Sequence, residues 1–282
     1  MDKLTSNPMI CGKTPFAVTG CPFTRVTPGS RSLERGLAIL RAFRHGGSAL
    51  TNADLAERVG LPRPTISRLT HSLVDSGFLM FDPELRAYRL APVLLNLALA
   101  YQEGLIEYQI ALPYMQAVAK REEINVGLAA PDLCDMVYLA SVRYGRGGVL
   151  RHIVPGSRRP METLSLGLCY LNALDESSLA RLLQYILPKY PGTKDAVLFR
   201  IERARQDLNM LGYCVADWHA GMIAIATTLK TPGEAIYALN ISFSSSDELW
   251  AKDRIVHYGS VLIKLAEAIN EAWQNYQKEC PQ

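Results

Sequence analysis

Long hydrophobic runs are missing from this sequence of 282 residues. No stretch approaches the roughly 18 consecutive apolar residues that a membrane-spanning helix requires, so we expect no membrane partner. The first residues, MDKLTSNPMICGKTPFAVTGCPF, also lack the uninterrupted apolar core of a secretory signal peptide. Their Pro, Gly, Ser and Thr content predicts a flexible arm over residues 1–28. We therefore expect a cytoplasmic protein.

Closely spaced cysteine pairs, which mark many metal and redox sites, are missing as well. The six cysteines stand far apart, at positions 11, 21, 134, 169, 214 and 280. In a cytosolic chain such cysteines are most simply free thiols, some of them buried. The sequence predicts no bound metal and no other cofactor.

The sequence also has no strong excess of one charge overall, since the formal net charge is +3. The distribution is uneven, because residues 1–91 carry 12 Lys and Arg against 7 Asp and Glu, whereas residues 92–282 carry 18 against 20. A basic first third is a modest indication that this part meets an anionic polymer.

The length and the 49% hydrophobic content are typical of a globular protein with two domains.

The segment from Thr51 to Gly77 predicts two short helices joined by a tight turn. Thr51 and Asn52 are good N-caps for the first helix, and Gly60-Leu61-Pro62 ends it. The second helix opens near Arg63-Pro64 and stops before Gly77. Two helices of this size are typical of a helix-turn-helix, in which the second helix lies in the major groove of DNA. An ordinary amphipathic helical hairpin is the alternative.

The second helix has two different faces. Helical spacing places apolar residues on one side, namely Ile66, Leu69, Leu73 and Val74, together with Thr70. The candidate DNA-binding residues of this helix are Arg63, Thr65, Ser67, Arg68 and His71. These basic and hydroxyl-bearing side chains are suited to phosphates and base edges.

A β-hairpin is predicted directly after this helix. Phe78–Phe81 has the composition of a strand, Asp82-Pro83-Glu84 turns the chain, and Tyr88–Leu90 returns. With Arg86 and Arg89 on it, the hairpin favours a wing that contacts the DNA backbone or minor groove.

A further helix begins at Ser32, before the helix pair. Ser32 can cap it, and its predicted apolar stripe consists of Leu33, Leu37, Leu40 and Phe43. Arg31 could reach a phosphate. Together these elements predict a winged helix-turn-helix domain over residues 29–91.

The stretch from Pro92 to Ala111 is too apolar for a flexible linker. We expect a linker helix over residues 92–111 that also supplies a self-association surface, with an intramolecular core helix as the alternative. Residues 112–282 then alternate between the two kinds of pattern. Strands are predicted at 124–130, 135–142, 148–154, 213–217, 222–229 and 235–243, and helices at 165–174, 177–187, 197–211 and 247–276. This order predicts an α+β domain, an antiparallel sheet flanked by helices with room for a small-molecule pocket.

Several segments together resemble the IclR family of bacterial transcriptional regulators. They are RSLERGLAIL, NADLAERVGLPRPTISRLTHSLVDSGF, YRLAP, VPGSRRPM, and GYCVAD with GMIAIATTL. The resemblance covers about residues 30 to 276. It implies an N-terminal winged helix-turn-helix, a linker helix, and a C-terminal effector-binding domain with a GAF/PAS-like sheet. It also implies homodimers that commonly pair into tetramers, bound to a near-palindromic operator.

The resemblance also implies where the effector binds. The corresponding effector-binding residues of this chain are Ser165, Leu166, Gly167, Asp217, Ala224, Asn240 and Ser242. Five arginines at 143, 146, 151, 158 and 159 border the expected pocket. Because Arg binds carboxylates with two hydrogen bonds, we expect an organic acid, with aromatic acids included.

Two other classes of function stay open from the sequence. A ligand-sensing adaptor without sequence-specific DNA binding would lack Arg63, Arg68 and His71, which this chain has. An enzyme could use Cys214 and His219 with Asp217, which lie close together in GYCVADWHAG. On a strand, however, residues 214 and 217 face opposite sides, and a catalytic set needs hydrogen-bond reach. We therefore expect no catalytic residues.

Overall fold

The computed structural model describes residues 29–43, 49–144, 153–219, 222–231, 233–244 and 248–279. They form two compact units that adjoin in sequence between Gly104 and Leu105. The order of elements confirms the predicted α+β class, with a helix-turn-helix first and an antiparallel sheet with helices after it. The expected arm over residues 1–28 lies outside the described residues. Among the helices that the structure describes, none is both long and apolar enough to span a membrane.

Three helices open the first unit: α1 (Arg31–Ala42), α2 (Asn52–Val59) and α3 (Arg63–Asp75). Thr51 starts α2 with a capping box, in which its hydroxyl accepts the Asp54 N–H and the Asp54 carboxylate accepts the Thr51 N–H. The backbone hydrogen bond from Thr51 holds the pKa of Asp54 below its usual value. Gly60 ends α2 in the left-handed region, at φ 72°. The predicted helix pair and its turn are confirmed.

The apolar stripe predicted for α1 is half right. Phe43 is buried and Leu40 packs against the same core as predicted, but Leu33 and Leu37 are 62% and 51% exposed, and Ile39 and Ala42 are buried instead. Both sets have helical spacing, so the period alone cannot choose between them. The buried set includes the small residue Ala42, which lets α1 pack close to α2 and α3.

The start of α1 also differs from the prediction. Ser30, not Ser32, is the N-cap, and its Oγ accepts the Leu33 N–H at 3.4 Å.

The predicted wing is confirmed as a hairpin of β1 (Leu79–Asp82) and β2 (Ala87–Leu90). Leu50 adds a backbone bridge to Tyr88, so three segments are paired at this point. The Asp82 carboxylate accepts the N–H groups of Glu84 and Leu85 and thereby holds the turn.

The single linker helix expected over residues 92–111 is two helices, α4 (Val93–Gly104) and α5 (Ile106–Glu122). Leu105 lies between them at φ −95° and ψ 89°, outside the helical region. Gly104 precedes the break, and Gly has a low helix propensity.

The second unit is built on one antiparallel sheet of six strands. In chain order they are β3 (Asn125–Asp132), β4 (Asp135–Arg143), β5 (Arg158–Pro160), β6 (Cys214–His219), β7 (Met222–Lys230) and β8 (Ile236–Ser244), and their spatial order is β5-β4-β3-β8-β7-β6. The strand predicted at 148–154 falls mostly outside the described residues, and Ile153 and Val154 are not in a strand. The edge strand that the structure describes begins four residues later, at Arg158, after a turn at Gly156 (φ 86°).

Helices cover both faces of this sheet. The remaining ones are α6 (Ser165–Ala173), α7 (Glu176–Ile186), α8 (Lys194–Leu211) and α9 (Glu248–Glu279). Helices α5 and α9 pack on one face, where they form the main core with residues that include Met115, Val126, Ile225, Leu239, Ile241, Leu262 and Ile269. Helix α6 packs against β6, β7 and β8 on the other face. The sheet residues on that other face are small or polar, which distinguishes it from the apolar core.

Candidate functional site

The outer face of α3 carries the residues predicted to bind DNA. Arg63, Ser67, Arg68 and His71 are exposed and Thr65 is half-buried. Ile66 and Thr70 are buried on the opposite side, where the Thr70 hydroxyl donates to the Ile66 carbonyl oxygen at 3.0 Å. No carboxylate of the described residues pairs with Arg63 or Arg68. Both guanidinium groups can therefore contact phosphates or base edges.

His71 has a partner on its own helix. Its Nδ1 lies 2.9 Å from Oδ2 of Asp75, and both side chains are exposed, at 79% and 66%. An exposed pair of this kind contributes little free energy. DNA can therefore displace it at low cost.

The two wing arginines differ in availability. Arg86 is exposed at the turn, with φ 47°. Arg89 instead donates from Nε and Nη2 to Oδ2 of Asp82, at 3.1 and 2.9 Å. Backbone hydrogen bonding from Leu85, together with Arg89, lowers the pKa of Asp82. Arg89 thus stabilises the hairpin, a role that the sequence did not predict. The other predicted DNA contact, Arg31, is exposed at the start of α1.

The face of the sheet under α6 is organised in two cross-strand rows. Residues directly opposite each other on neighbouring strands share a face. The first row runs Arg143, Asn125, Ser242, Ala224, Ala216, and the second runs Ser141, Gly127, Asn240, Ala226, Cys214. We call this surface the effector face, because Ala224, Asn240 and Ser242 of the predicted effector site lie on it.

Helix α6 brings three more predicted residues to the effector face. Ser165 and Leu166 are each 1% exposed. A Cβ added at Gly167 would lie 2.1 Å from the Met161 carbonyl oxygen, so only Gly lets the helix start this close to the preceding segment. No side chain caps the amino end of α6. Its first backbone N–H groups are a favourable site for an anion.

Two buried thiols connect α6 to β6. Sγ of Cys169 donates to the Leu166 carbonyl at 3.1 Å, and Sγ of Cys214 donates to the Ser165 carbonyl at 3.4 Å. Burial raises the pKa of the Cys169 thiol well above its usual value, and its hydrogen bond with Cys214 acts in the same direction. Cys214 itself is fully buried under α6.

Asp217 is the one predicted effector residue that the register does not bring to the others. Asp217 pairs with Ile223, whose side chain lies in the core on the α5 and α9 face. Ala216 occupies the position opposite Ala224 instead.

Sequence reasoning missed a tyrosine on the effector face. Burial raises the pKa of Tyr138 to about 12, opposed by Arg159, Arg143 and a hydrogen bond with Asn240. A Cβ at Gly127 would lie 2.4 Å from Oδ1 of Asn240 and 2.6 Å from Cε1 of Tyr138. Within the described chain, Oδ1 of Asn240 is buried without a hydrogen-bond partner. A glycine inside a strand was the available signal for such a close approach.

The five arginines expected near the pocket have different roles. Arg158 binds the carboxylates of Asp132 and Asp135 and so ties β5 to the β3–β4 hairpin. Arg159 donates to the Arg158 carbonyl oxygen. Arg143 is half-buried at the end of the first row, while residues 146 and 151 lie outside the described residues. Over the described ranges, no group of three or more His, Cys, Asp or Glu side chains could hold a metal ion.

Comparisons with known proteins agree with both halves of this architecture. The IclR helix-turn-helix domain matches residues 32–83. The HTH-type transcriptional regulator TsaQ1/TsaQ2 of Comamonas testosteroni is 30% identical over 191 residues, covering 67% of this chain and 68% of that protein. The crystal structure of an IclR family transcriptional regulator from Brucella abortus superposes with a TM-score of 0.78 at 30% identity, covering 86% of this chain and 92% of that one.

A further structure contains a ligand. It is an IclR homolog from Microbacterium hydrocarbonoxydans complexed with 4-hydroxybenzoate, with a TM-score of 0.66 and 25% identity, and it covers 86% of this chain and 99% of that one. The chain combines a winged helix-turn-helix with an α+β unit, and one face of its sheet carries small or polar residues. These features define a ligand-responsive, DNA-binding transcriptional regulator. The chain belongs to the IclR family of transcriptional regulators.

Proposed function

We propose that the chain binds a near-palindromic DNA operator through α3, with the β1–β2 wing beside it. The observation that carries this proposal is the exposed face of α3, where Arg63 and Arg68 have no carboxylate partner within the described residues. Ser67 and His71 add hydrogen-bonding groups, and Thr65 lies at the edge of this face. Arg86 contacts the DNA backbone from the wing and Arg31 from the start of α1. Arg89 acts mainly by holding Asp82.

Salt dependence tests this proposal. Phosphate contacts release counterions, so affinity for sheared duplex DNA is expected to fall by about a thousandfold or more between 50 and 200 mM salt if six or more phosphates are contacted. Filter binding at the two salt concentrations measures it. An affinity that does not change with salt would contradict DNA binding by this basic face and favour the adaptor alternative.

For the C-terminal unit, residues 112–282, we propose effector binding on the effector face. Ala224, Asn240 and Ser242 lie together there, and the amino end of α6 with Ser165, Leu166 and Gly167 adjoins it. An organic acid suits the arginines and the free N–H groups of α6. A hydroxyl on the ligand would give Oδ1 of Asn240 the donor that it lacks in the described chain. The 4-hydroxybenzoate complex of the homolog supports an aromatic acid.

We propose that the chain is not an enzyme and that it works in the cytoplasm, where the chromosome is. Cys214, the nucleophile of the enzyme alternative, is fully buried and donates to a backbone carbonyl.

The exposed surface of helix α4 supports a homodimer. Two such homodimers would form the dimer of dimers. None of its 12 residues is buried within the described chain, although it is rich in leucine. Leu95, Leu97 and Leu99 are 64%, 52% and 46% exposed. Leu95 and Leu99 are one helical turn apart and therefore lie on the same side of α4. Exposed apolar residues grouped in this way mark an interaction site. We infer that a second copy of the chain covers it.

A double substitution tests this surface. Leu95→Glu with Leu99→Glu places two charges one helical turn apart on α4, so we expect the oligomer to dissociate into 31.2 kDa chains. Light scattering at micromolar concentration measures the mass. Met210→Glu, at a position on α8 that is 73% exposed, is the control and should leave the mass unchanged. A wild-type chain that is monomeric with and without DNA would contradict the proposed dimer.

A further inference from the structure

A polar cluster with one positive charge lies at one end of the effector face, and no carboxylate of the described chain neutralises that charge. It consists of Tyr138, Asn240 and Arg143. Asn240 is hydrogen-bonded to Tyr138, and Arg143 is close enough to act electrostatically on the phenol group. Gly127 lies directly beneath the Tyr138 ring and the Asn240 amide, as its close approach to both demonstrates.

Unlike Arg158, Arg143 has no carboxylate partner among the described residues. Arg158 is bound by Asp132 and Asp135, and Arg159 donates to a backbone carbonyl. No described carboxylate pairs with Arg143, and burial lowers the pKa of its half-buried guanidinium. A partly buried cation without a counter-ion is unfavourable, and an anionic ligand would relieve that cost.

The first row sets the size of a ligand that reaches Arg143. Arg143 and Ala224 are three strand spacings apart in this row, about 14 Å from Cα to Cα. The arginine side chain takes up roughly 6 Å of this distance if it extends along the row. The remaining length, roughly 8 Å, is enough for a single six-membered ring with its carboxylate. The far end of the row is formed by Ala224 and Ala216, which are small and apolar.

We propose that Arg143 is the residue that binds the effector's carboxylate, with the Tyr138 hydroxyl as a second donor, and that the effector is a single-ring monocarboxylic acid. Asn240 acts as a positioning residue, because its amide N–H donates to the phenol oxygen and leaves the Tyr138 O–H free for the ligand. The ring of the acid lies along the first row, between Arg143 and Ala224. This inference rests on the proposed effector site and adds the group that recognises the acid.

Calorimetry on the full chain tests the inference with four probes: benzoate, 4-hydroxybenzoate, the neutral analogue benzamide, and acetate. We expect the two ring acids to bind the wild type, and benzamide and acetate to bind at least about tenfold more weakly, because each lacks the charge or the ring. Arg143→Met should weaken the ring acids by about 10- to 100-fold, and Arg143→Lys by less, since the charge remains but the paired hydrogen bonds are lost. Tyr138→Phe should weaken them by roughly three- to tenfold.

Arg203→Met is the matched control, because Arg203 is an exposed arginine on α8 of the same unit. It should leave all affinities unchanged. Circular dichroism of each variant confirms folding, and Arg143→Lys carries the test if Arg143→Met does not fold.

The inference and the proposed site fail in different ways. Ring acids that bind wild type and Arg143→Met equally, or that fail to bind wild type, would overturn the inference. If acetate or benzamide binds the wild type instead, and Ser242→Leu blocks that binding, the inference is wrong but the proposed effector face is supported. If ring acids bind and Ser242→Leu has no effect on them, the proposed face is wrong.

Discussion

Ser242→Leu is expected to abolish the response to an effector while leaving effector-free DNA binding within about a few-fold of the wild type. Ser242 is 8% exposed and lies between Asn125 and Ala224 in the first row of the effector face. A leucine there fills the face and removes a hydroxyl. The winged unit is untouched, and a ligand shifts an equilibrium only by its differential affinity for two states.

Two measurements on the same variant decide this prediction. Calorimetry with an acid that binds the wild type gives the effector affinity, and fluorescence anisotropy with labelled operator gives the DNA affinity. Ser177→Leu, at an exposed serine near the start of α7, is the control for added bulk. Asn240→Ala should weaken the effector without removing it, because Tyr138 then loses its hydrogen-bond partner. Normal effector binding by Ser242→Leu would show that the ligand binds elsewhere.

Arg68→Ala is expected to weaken specific operator binding by about 1–3 kcal/mol, which is the binding free energy that a side chain contributes when it hydrogen-bonds to a base edge. Arg63→Ala should have a smaller effect. Arg86→Ala should weaken specific and non-specific binding alike and flatten the salt dependence, because a wing contact meets the backbone.

The control for these three variants is Arg203→Ala, which removes the same charge from α8. Anisotropy titrations at two salt concentrations separate a lost base contact from a lost phosphate contact. Operator affinity that stays unchanged in all three variants would contradict the assignment of α3 and the wing as the DNA-binding surface.

The winged unit was largely predictable because its signals are local. The Thr51 cap, the Gly60-Leu61-Pro62 turn and the Asp82-Pro83 turn each act over a few residues, and all three are as expected. The failures came where two apolar stripes compete. On α1, leucines 33 and 37 are the more hydrophobic choice, but packing favours Ile39 and Ala42.

The effector face could be predicted only in part, because it depends on register between strands that are distant in sequence. Ala224, Asn240 and Ser242 meet because β7 and β8 pair as they do. The register places Asp217 opposite Ile223 and its neighbour Ala216 opposite Ala224, a one-residue difference that the sequence pattern does not fix. Tyr138 and Arg143 lie on the local β3–β4 hairpin, and they join the site because β3 pairs with β8, a strand about 110 residues further along the chain.

Selection of duplexes from a random-sequence pool by the wild-type chain is the most direct test of a dimeric, sequence-specific DNA-binding regulator. We predict enrichment of a near-palindrome whose half-sites are separated by one helical turn, about 10–10.5 base pairs, or a multiple of it. The enriched duplex should bind the wild type more tightly than random DNA by about a thousandfold or more, and Arg68→Ala should lose most of that difference. A pool that shows no enriched sequence after selection, with binding equal for all duplexes, would contradict the account.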